Sequence, residues 1–558
     1  MLSTIRPFGL VRSVILALLA VGLFQGTVVA ADRAAVPVTL EKVGEAWQLI
    51  REGKPWVVKG AGGDASKSLL AACGGNTCRT WGAGREIGPM LDECQRLGIA
   101  VVVGYWVPHE RHGFDWTNQA LVDDQVAQAE AAVRRWKDHP ALLAWAFGNE
   151  MEGYAAGDNE RMWKAVERMA KKSKEIDPNH PTMTVTAEIG GKRVEMLHQH
   201  CPSIDIMGIN SYGGCASIPE RYRKAGGTKP YLVTEYGTAG IWELGKNDIG
   251  AVIELTTTQK ADSYGLVYDV LAKDRALCLG SIAFTWGSKQ EATATWFGMI
   301  MPDGSRTAPV DALADRWGKP VPNRCPVIEP LTLAGSNKLD PGATVNVVLK
   351  TSDPENDALT VDWVLSDEAE ELNTGGDTEA ALATHPAAIV KGDLAGVELK
   401  MPAYKGTYRL FAVVRDGKGG AAMANLPLRV ESGAARPPAP AKKGTLPICI
   451  VGETGSPYVP SGWIGDAKAI TLDPDCATKP KSGAACTKVS FTQGGGWGGV
   501  VWQHPANAWG DRQCGLDLSG AQRLMFWARG DAGGEEITFG TGMVGADKKY
   551  HDTFRQSL

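Results

Sequence analysis

Three observations predict that residues 38–325 of this 558-residue chain form a (β/α)₈ barrel and that two β-sandwiches follow it. Eight short apolar runs alternate with amphipathic stretches across that region, the pattern of strands covered by helices. Two of these runs end on a glutamate, Leu143 to Glu150 and Tyr231 to Glu235. After Pro326 the texture changes to short alternating runs broken by turn residues.

In chain order, residues 1–30 read as a signal peptide: Arg6 and Arg12 precede the apolar run Val14–Phe24, and Val28-Val-Ala30 offers a small-residue cleavage site. The eight strands are expected at Trp56–Gly60, Asn76–Trp81, Ile99–Trp106, Leu143–Glu150, Thr182–Ala187, Ile204–Tyr212, Tyr231–Glu235 and Gly280–Trp286. The stretches Asp123–Lys137 and Arg161–Ile176 carry helical periodicity between them. Residues 326–432 read as an Ig-like sandwich, with turns at Asp353-Pro-Glu-Asn-Asp357 and Asp416-Gly-Lys-Gly419 flanking the strand Tyr408–Val414. The acid-rich turn suits either a calcium ion or, more simply, solvent, and the expectation for the whole chain is no metal and no cofactor. A Pro/Ala-rich linker at 433–446 leads to residues 447–558, a second sandwich in which Trp463, Trp497, Trp502, Trp509 and Trp527 cluster. This last domain reads as incomplete at Leu558.

A formal charge of −5 with no basic block argues against nucleic acid as a partner. No run after the signal is long enough to span a bilayer, so the mature chain is expected to be secreted or periplasmic, without an integral membrane segment. Eleven cysteines leave at least one without an intrachain partner, and Cys73/Cys78 and Cys476/Cys486 are near enough in sequence to be bridged in an oxidising compartment. No Cys-x-x-Cys pair is present, and His109 and His112 are read as loop residues rather than metal ligands.

A carboxylate has no place inside a strand buried on both faces, so Glu150 and Glu235 are expected at exposed strand ends. Parallel barrels collect their chemistry at the carboxyl ends of the strands. Two carboxylates at one rim are what glycosidic bond cleavage requires: one protonates the leaving oxygen, the other attacks the sugar or activates water.

The motifs Gly148-Asn149-Glu150, Thr234-Glu235-Tyr236-Gly237, Asn76-Thr-Cys-Arg79, Asn210-Ser-Tyr212 and Trp286 fall on successive strands in the order found in clan A glycoside hydrolases. Residues 50–290 most resemble the TIM barrel of family 2 in that clan. The resemblance implies that Glu150 is the acid/base and Glu235 the nucleophile. It implies further that Asn149 holds the sugar 2-hydroxyl, Tyr212 hydrogen-bonds the nucleophile, Arg79 lies beneath it, and Trp286 floors the sugar subsite. Trp106, at a strand end, is added as a substrate contact. Two departures stand out: only a few tens of residues precede the first strand, and Trp81 stands near where a histidine is expected after Arg79. Segment Trp497–Trp509 resembles part of a carbohydrate-binding jelly roll. The implied function is a retaining β-glycoside hydrolase acting on a polysaccharide, with β-glucan as a candidate substrate. The alternatives are a transglycosylase using the same glutamates and a non-catalytic carbohydrate-binding envelope protein.

Overall fold

In the computed structural model, residues 34–557 are described apart from 111–113, 154, 370–371, 373–375, 377–378, 380–381, 436–441, 452–455, 493–495, 511–514, 549 and 553–555. The expected signal peptide, His112 and part of the expected linker lie outside the described residues.

The barrel is preceded by a three-stranded antiparallel sheet that the sequence reading did not anticipate: β1 (Val38–Val43), β2 (Ala46–Arg51) and β3 (Lys54–Trp56). Glu52 and Gly53 both adopt positive φ in the β2–β3 turn, a backbone that matches the twist of a tight hairpin. Val38 and Leu49 pack into the cluster that fills the barrel interior, with Val58, Val102, Ala146 and Ile206 among their partners. The sheet is tied there by hydrogen bonds from Val38 N to Asn179 O and from Trp47 N to Ala276 O.

Eight parallel strands then close: β4 (Val58–Gly62), β5 (Thr77–Arg79), β6 (Ala100–Tyr105), β7 (Leu142–Asn149), β8 (Thr182–Ala187), β9 (Ile206–Asn210), β10 (Tyr231–Tyr236) and β11 (Cys278–Phe284). The first strand is displaced by two residues from the expected one, because Trp56 belongs to the preceding sheet and the barrel starts at Val58. Helices face outward between strands. Of these, the 119–136 and 160–176 helices are capped by the side chains of Asn118 and Asn159, each accepting backbone N–H bonds from the first turn.

Residues beyond the barrel form two facing antiparallel sheets. One joins Thr360–Asp367, Gly406–Arg415 and Gly420–Val430; the other joins Thr332–Leu333, Thr344–Val348, Gly396–Lys400 and Ile389–Asp393. Leu365, Leu410, Val414 and Leu428 from the first sheet meet Val347 and Leu399 from the second in one core. The seam with the barrel is continuous. Arg306–Thr307 pairs in parallel with Gly420–Ala421, Met423 N bonds Thr257 Oγ1, and Arg409 reaches Val252 O. Past residue 446, Val459–Gly465 pairs with Gly498–Gln503 and Ile470–Cys476 with Cys486–Phe491 as short antiparallel ladders, while Leu516–Asp517 pairs in parallel with Lys442–Lys443. Of the five clustered tryptophans, Trp497 and Trp527 are exposed and none is buried.

Neither cysteine pair noted as near in sequence is bridged. Cys73 and Cys78 are free, because Cys78 sits on β5 and turns its sulfur toward Cys94, 3.5 Å away. Cys476 and Cys486 face each other across a ladder but are also free, the Cys486 thiol reaching the Cys476 carbonyl instead. Among the described residues no helix is long and apolar enough to cross a membrane.

Candidate active site

Arg79, Asn149, Asn210 and Glu235 end or nearly end β5, β7, β9 and β10, and Glu150, Tyr212 and Trp106 follow β7, β9 and β6 by one or two residues. All are therefore carried at the carboxyl rim, on rigid strand ends. At Gly148 the backbone turns to a φ of +81°, and Glu150 itself sits at +51°, a region that disfavours side-chain-bearing residues. A Cβ at Gly148 would collide with the Met151 side chain, so glycine is what lets the chain turn here and present the glutamate.

Glu235 is buried and both its oxygens are occupied. Arg79 Nη1 donates to Oε1 at 3.0 Å, Trp81 Nε1 donates to Oε1 at 2.9 Å, and Tyr212 OH donates to Oε2 at 2.8 Å. Arg79 is itself buried, and its other nitrogen donates to Asn149 Oδ1 at 2.6 Å. Asn210 joins the two halves: its Nδ2 donates to Glu150 Oε1 at 2.7 Å, while its Oδ1 accepts from Arg79 Nη1 at 3.3 Å and from Thr234 Oγ1 at 2.8 Å. Glu150 is thus linked to Glu235 through one amide and one guanidinium.

The two carboxylates differ in environment. Glu150 is pushed up to about 7, first by desolvation and then by the negative charge of Glu235, with the Asn210 hydrogen bond opposing. Glu235 instead faces a guanidinium, an indole N–H and a phenol, a donor set shaped for an ionised carboxylate. Burial and the two glutamates push Tyr212 well above the usual phenol value, keeping its proton available to donate. A buried carboxyl pushed up to about 7 beside one gripped by three donors puts the two glutamates in contrasting environments.

Asn149 Oδ1 is engaged by both Arg79 and Asn210, which leaves Nδ2 as the donor end of the amide. Trp106 is partly exposed and stacks on His109, with centroids 5.1 Å apart and 8° between planes, while His109 Nε2 bonds Asn149 O at 2.8 Å. Trp242 is 60% exposed and meets the Tyr212 ring edge-on at 5.6 Å. These two indoles supply flat apolar faces on the acid side and the nucleophile side of the rim.

Trp286 corrects the reading. Its side chain is fully buried, its indole N–H donates to Ser66 O at 3.0 Å, and it packs against Trp317 rather than flooring a subsite. The chain leaves the ladder at Phe284, and it is Phe284 that joins Tyr212, Trp81 and Phe297 in the aromatic cluster beside Glu235. Trp81, noted only as a departure from the pattern, proves to be a direct partner of Glu235. Asn210 was named within a motif but given no role, and the buried Glu152–Arg193 pair was not singled out. Glu152 Oε1 accepts from Ala187 N and Arg193 Nε, and Arg193 also holds the carbonyls of Gly153 and Ala155, fixing the loop that follows the acid. Among the described residues, the grouping with metal-ligand spacing is Asp353, Glu355 and Asp357 in the sandwich, remote in sequence from this rim.

A closed parallel barrel with paired glutamates at its carboxyl rim has the layout of a glycosidase barrel. Residues 89–259 match the family model "Glycosyl hydrolases family 2, TIM barrel domain". A β-glucuronidase from Chlorocebus aethiops is 27% identical over 152 residues, covering 26% of this chain and 21% of the relative. Among solved structures, Bacteroides uniformis β-glucuronidase 2, covalently bound to cyclophellitol-6-carboxylate aziridine, is 16% identical. That match has a TM-score of 0.40 and covers 70% of this chain and 48% of the other. A β-glucuronidase from Ruminococcus gnavus is 16% identical with a TM-score of 0.41, covering 51% and 53%. The chain therefore spans about a fifth of the curated relative and about half of these solved chains.

Proposed function

We propose that the chain cleaves β-glycosidic bonds with retention of anomeric configuration, acting on a polysaccharide outside the cytoplasm, with β-glucan as a candidate. The observation that carries this reading is the split environment of the two glutamates, Glu150 raised to about 7 and Glu235 held by Arg79, Trp81 and Tyr212.

In the first step a Glu235 oxygen forms a bond to the anomeric carbon while Glu150 gives its proton to the departing glycosidic oxygen. The raised acid supplies that proton at neutral pH, and Arg79 offsets the charge shared by the two carboxylates. In the second step Glu150, now ionised, takes a proton from water; the water oxygen bonds to the anomeric carbon and Glu235 leaves as a carboxylate. A sugar hydroxyl taking the place of that water would give transglycosylation. The exposed faces of Trp106 and Trp242 favour a substrate with sugars on both sides of the scissile bond.

Proton NMR of the first product formed, before mutarotation, tests the stereochemistry. The β-anomer is expected, and initial α-anomer would overturn the retaining mechanism. Glu235→Gln should abolish turnover of all substrates, whereas Glu150→Gln should still form a glycosyl-enzyme from a substrate with an activated aryl leaving group, visible as a mass increase on the intact protein. Export is proposed from the apolar N-terminal run, and fractionation of expressing cells would test it.

A further inference from the structure

The acid-rich turn of the sandwich holds more negative charge than its surroundings satisfy. Asp353 is 9% exposed, and its Oδ1 accepts the backbone N–H groups of Glu355 and Asp357 at 3.0 and 2.9 Å. Its Oδ2 is buried with no hydrogen-bond partner. Asp357 repeats the pattern: Lys418 Nζ binds Oδ1, while Oδ2 is buried and unpaired. A buried carboxylate oxygen without a donor pays its full desolvation cost, so two of them facing one turn indicate a missing positive partner. One oxygen each from Asp353, Glu355 and Asp357 can be taken so that all lie within 4.8 Å of one another. Oxygens bound to a common calcium at roughly 2.3–2.6 Å cannot be further apart than about twice that distance, a limit this trio meets.

We propose that Asp353, Glu355 and Asp357 form a calcium site that fastens the barrel's trailing segment to the sandwich. The donor set is all oxygen, with no histidine or thiol to favour zinc or copper. Lys418 engages the Oδ1 of Asp357, and Arg324, the other nearby cation, has its guanidinium committed to Asp315. The turn also touches the segment that leaves the barrel: Glu355 Oε2 accepts from Arg324 N at 3.1 Å, and Asn323 Nδ2 donates to Asp416 Oδ2 at 2.8 Å in the adjoining turn. An ion bound here therefore orders both turns and the residues 323–325 that connect the two units.

The test is isothermal titration of CaCl2 into the EDTA-treated, dialysed full-length chain, with thermal unfolding in parallel. Binding of one calcium per chain is expected, with a midpoint that climbs as free calcium rises. Asp353→Asn keeps the Oδ1 acceptor for the two amides, and Asp357→Asn keeps an acceptor for Lys418, so both should fold. Each should weaken calcium binding at least tenfold while leaving the rate on a small soluble glycoside unchanged. A flat titration of the wild type would overturn the proposal and mark the turn as a solvated acid cluster. Unchanged calcium binding in both variants, or equal binding of MgCl2, would overturn it as well.

Discussion

Glu150 sits on a strand end where its surroundings, more than its own chemistry, decide what it does. Burial and the nearby Glu235 hold its proton up to about 7. In the proposed mechanism its acid form works in the first step, so kcat/KM on an unactivated glycoside should fall as pH rises through about 7. The sign follows from the raised value: below it the carboxyl is protonated and competent, above it the proton is lost. That basic limb should flatten when the leaving group needs no protonation, and vanish in Glu150→Gln. A profile level from about pH 6 to 9 on the unactivated substrate would refute Glu150 as the acid. Trp81 offers a second residue-scale check. Its indole N–H is one of two donors to Glu235 Oε1, and a hydrogen bond to a charged group contributes about 1.5–3 kcal/mol. Trp81→Phe keeps most of the ring packing against Phe284 and should lower kcat/KM by about 10- to 100-fold with little change in thermal midpoint. Equal activity would reduce Trp81 to packing.

Strand β7 and the turn after it show how an element converts sequence into a positioned acid. Leu142 to Phe147 are buried on both faces, which fixes the strand, and Gly148 then lets the chain swing out at a φ of +81°. Gly148→Ala should cost about 1–2 kcal/mol from the left-handed backbone alone, plus the collision with Met151. Because the turn also aims Glu150, kcat should fall further than the stability loss explains, and adding Met151→Ala should restore part of the midpoint. Additive effects in that double variant would deny the coupling. The same strands explain what the sequence disclosed. Runs such as Leu142–Phe147 are apolar and bounded by turn residues, so the barrel and the rim placement of Arg79, Asn149, Glu150, Tyr212 and Glu235 could be read directly. Trp286 could not. An aromatic beyond a strand end has no periodicity to say which layer it enters, and here it turns down toward Ser66 and Trp317. The β1–β3 sheet was hidden for a related reason: its three strands are short, only Val38 and Leu49 are buried, and so the alternation is faint. Cysteine spacing left the pairing open because nearness in sequence ignores the direction of each sulfur, and Cys78 points away from Cys73 toward Cys94.

At the scale of the whole molecule the two C-terminal regions attach to the barrel in different ways, and truncation should separate them. The first sandwich shares a buried polar seam with the barrel. Lys260 pairs with Glu254 at 2.6 Å, Asn425 Nδ2 donates to the other Glu254 oxygen at 3.0 Å, and Arg409 bridges Glu368 and Val252 O. Ending the chain at residue 325 would remove Asn425 and Arg409, leave Glu254 with a lost donor inside a former interface, and strip the partner strand from Arg306–Thr307. Loss of such contacts exposes apolar surface and unpaired charge together, so that fragment should be recovered as insoluble or unfolded protein. The region after residue 446 meets the barrel chiefly through charge: Asp475 binds Arg135 at 2.5 Å and Arg85 at 3.1 Å, and Lys468 lies 3.6 Å from Asp115. Pairs this accessible to solvent contribute about 0–1 kcal/mol each. Ending the chain at residue 446 should therefore leave a folded protein with a circular dichroism spectrum showing an intact barrel and an unchanged rate on a small soluble glycoside. The same truncation should weaken retention on insoluble polysaccharide, as should Trp497→Ala with Trp527→Ala, since those two indoles stand open to solvent. If the 446 fragment unfolds as readily as the 325 fragment, the last region is part of the catalytic unit. If pull-down on insoluble substrate is the same with and without it, the exposed tryptophans serve some other surface.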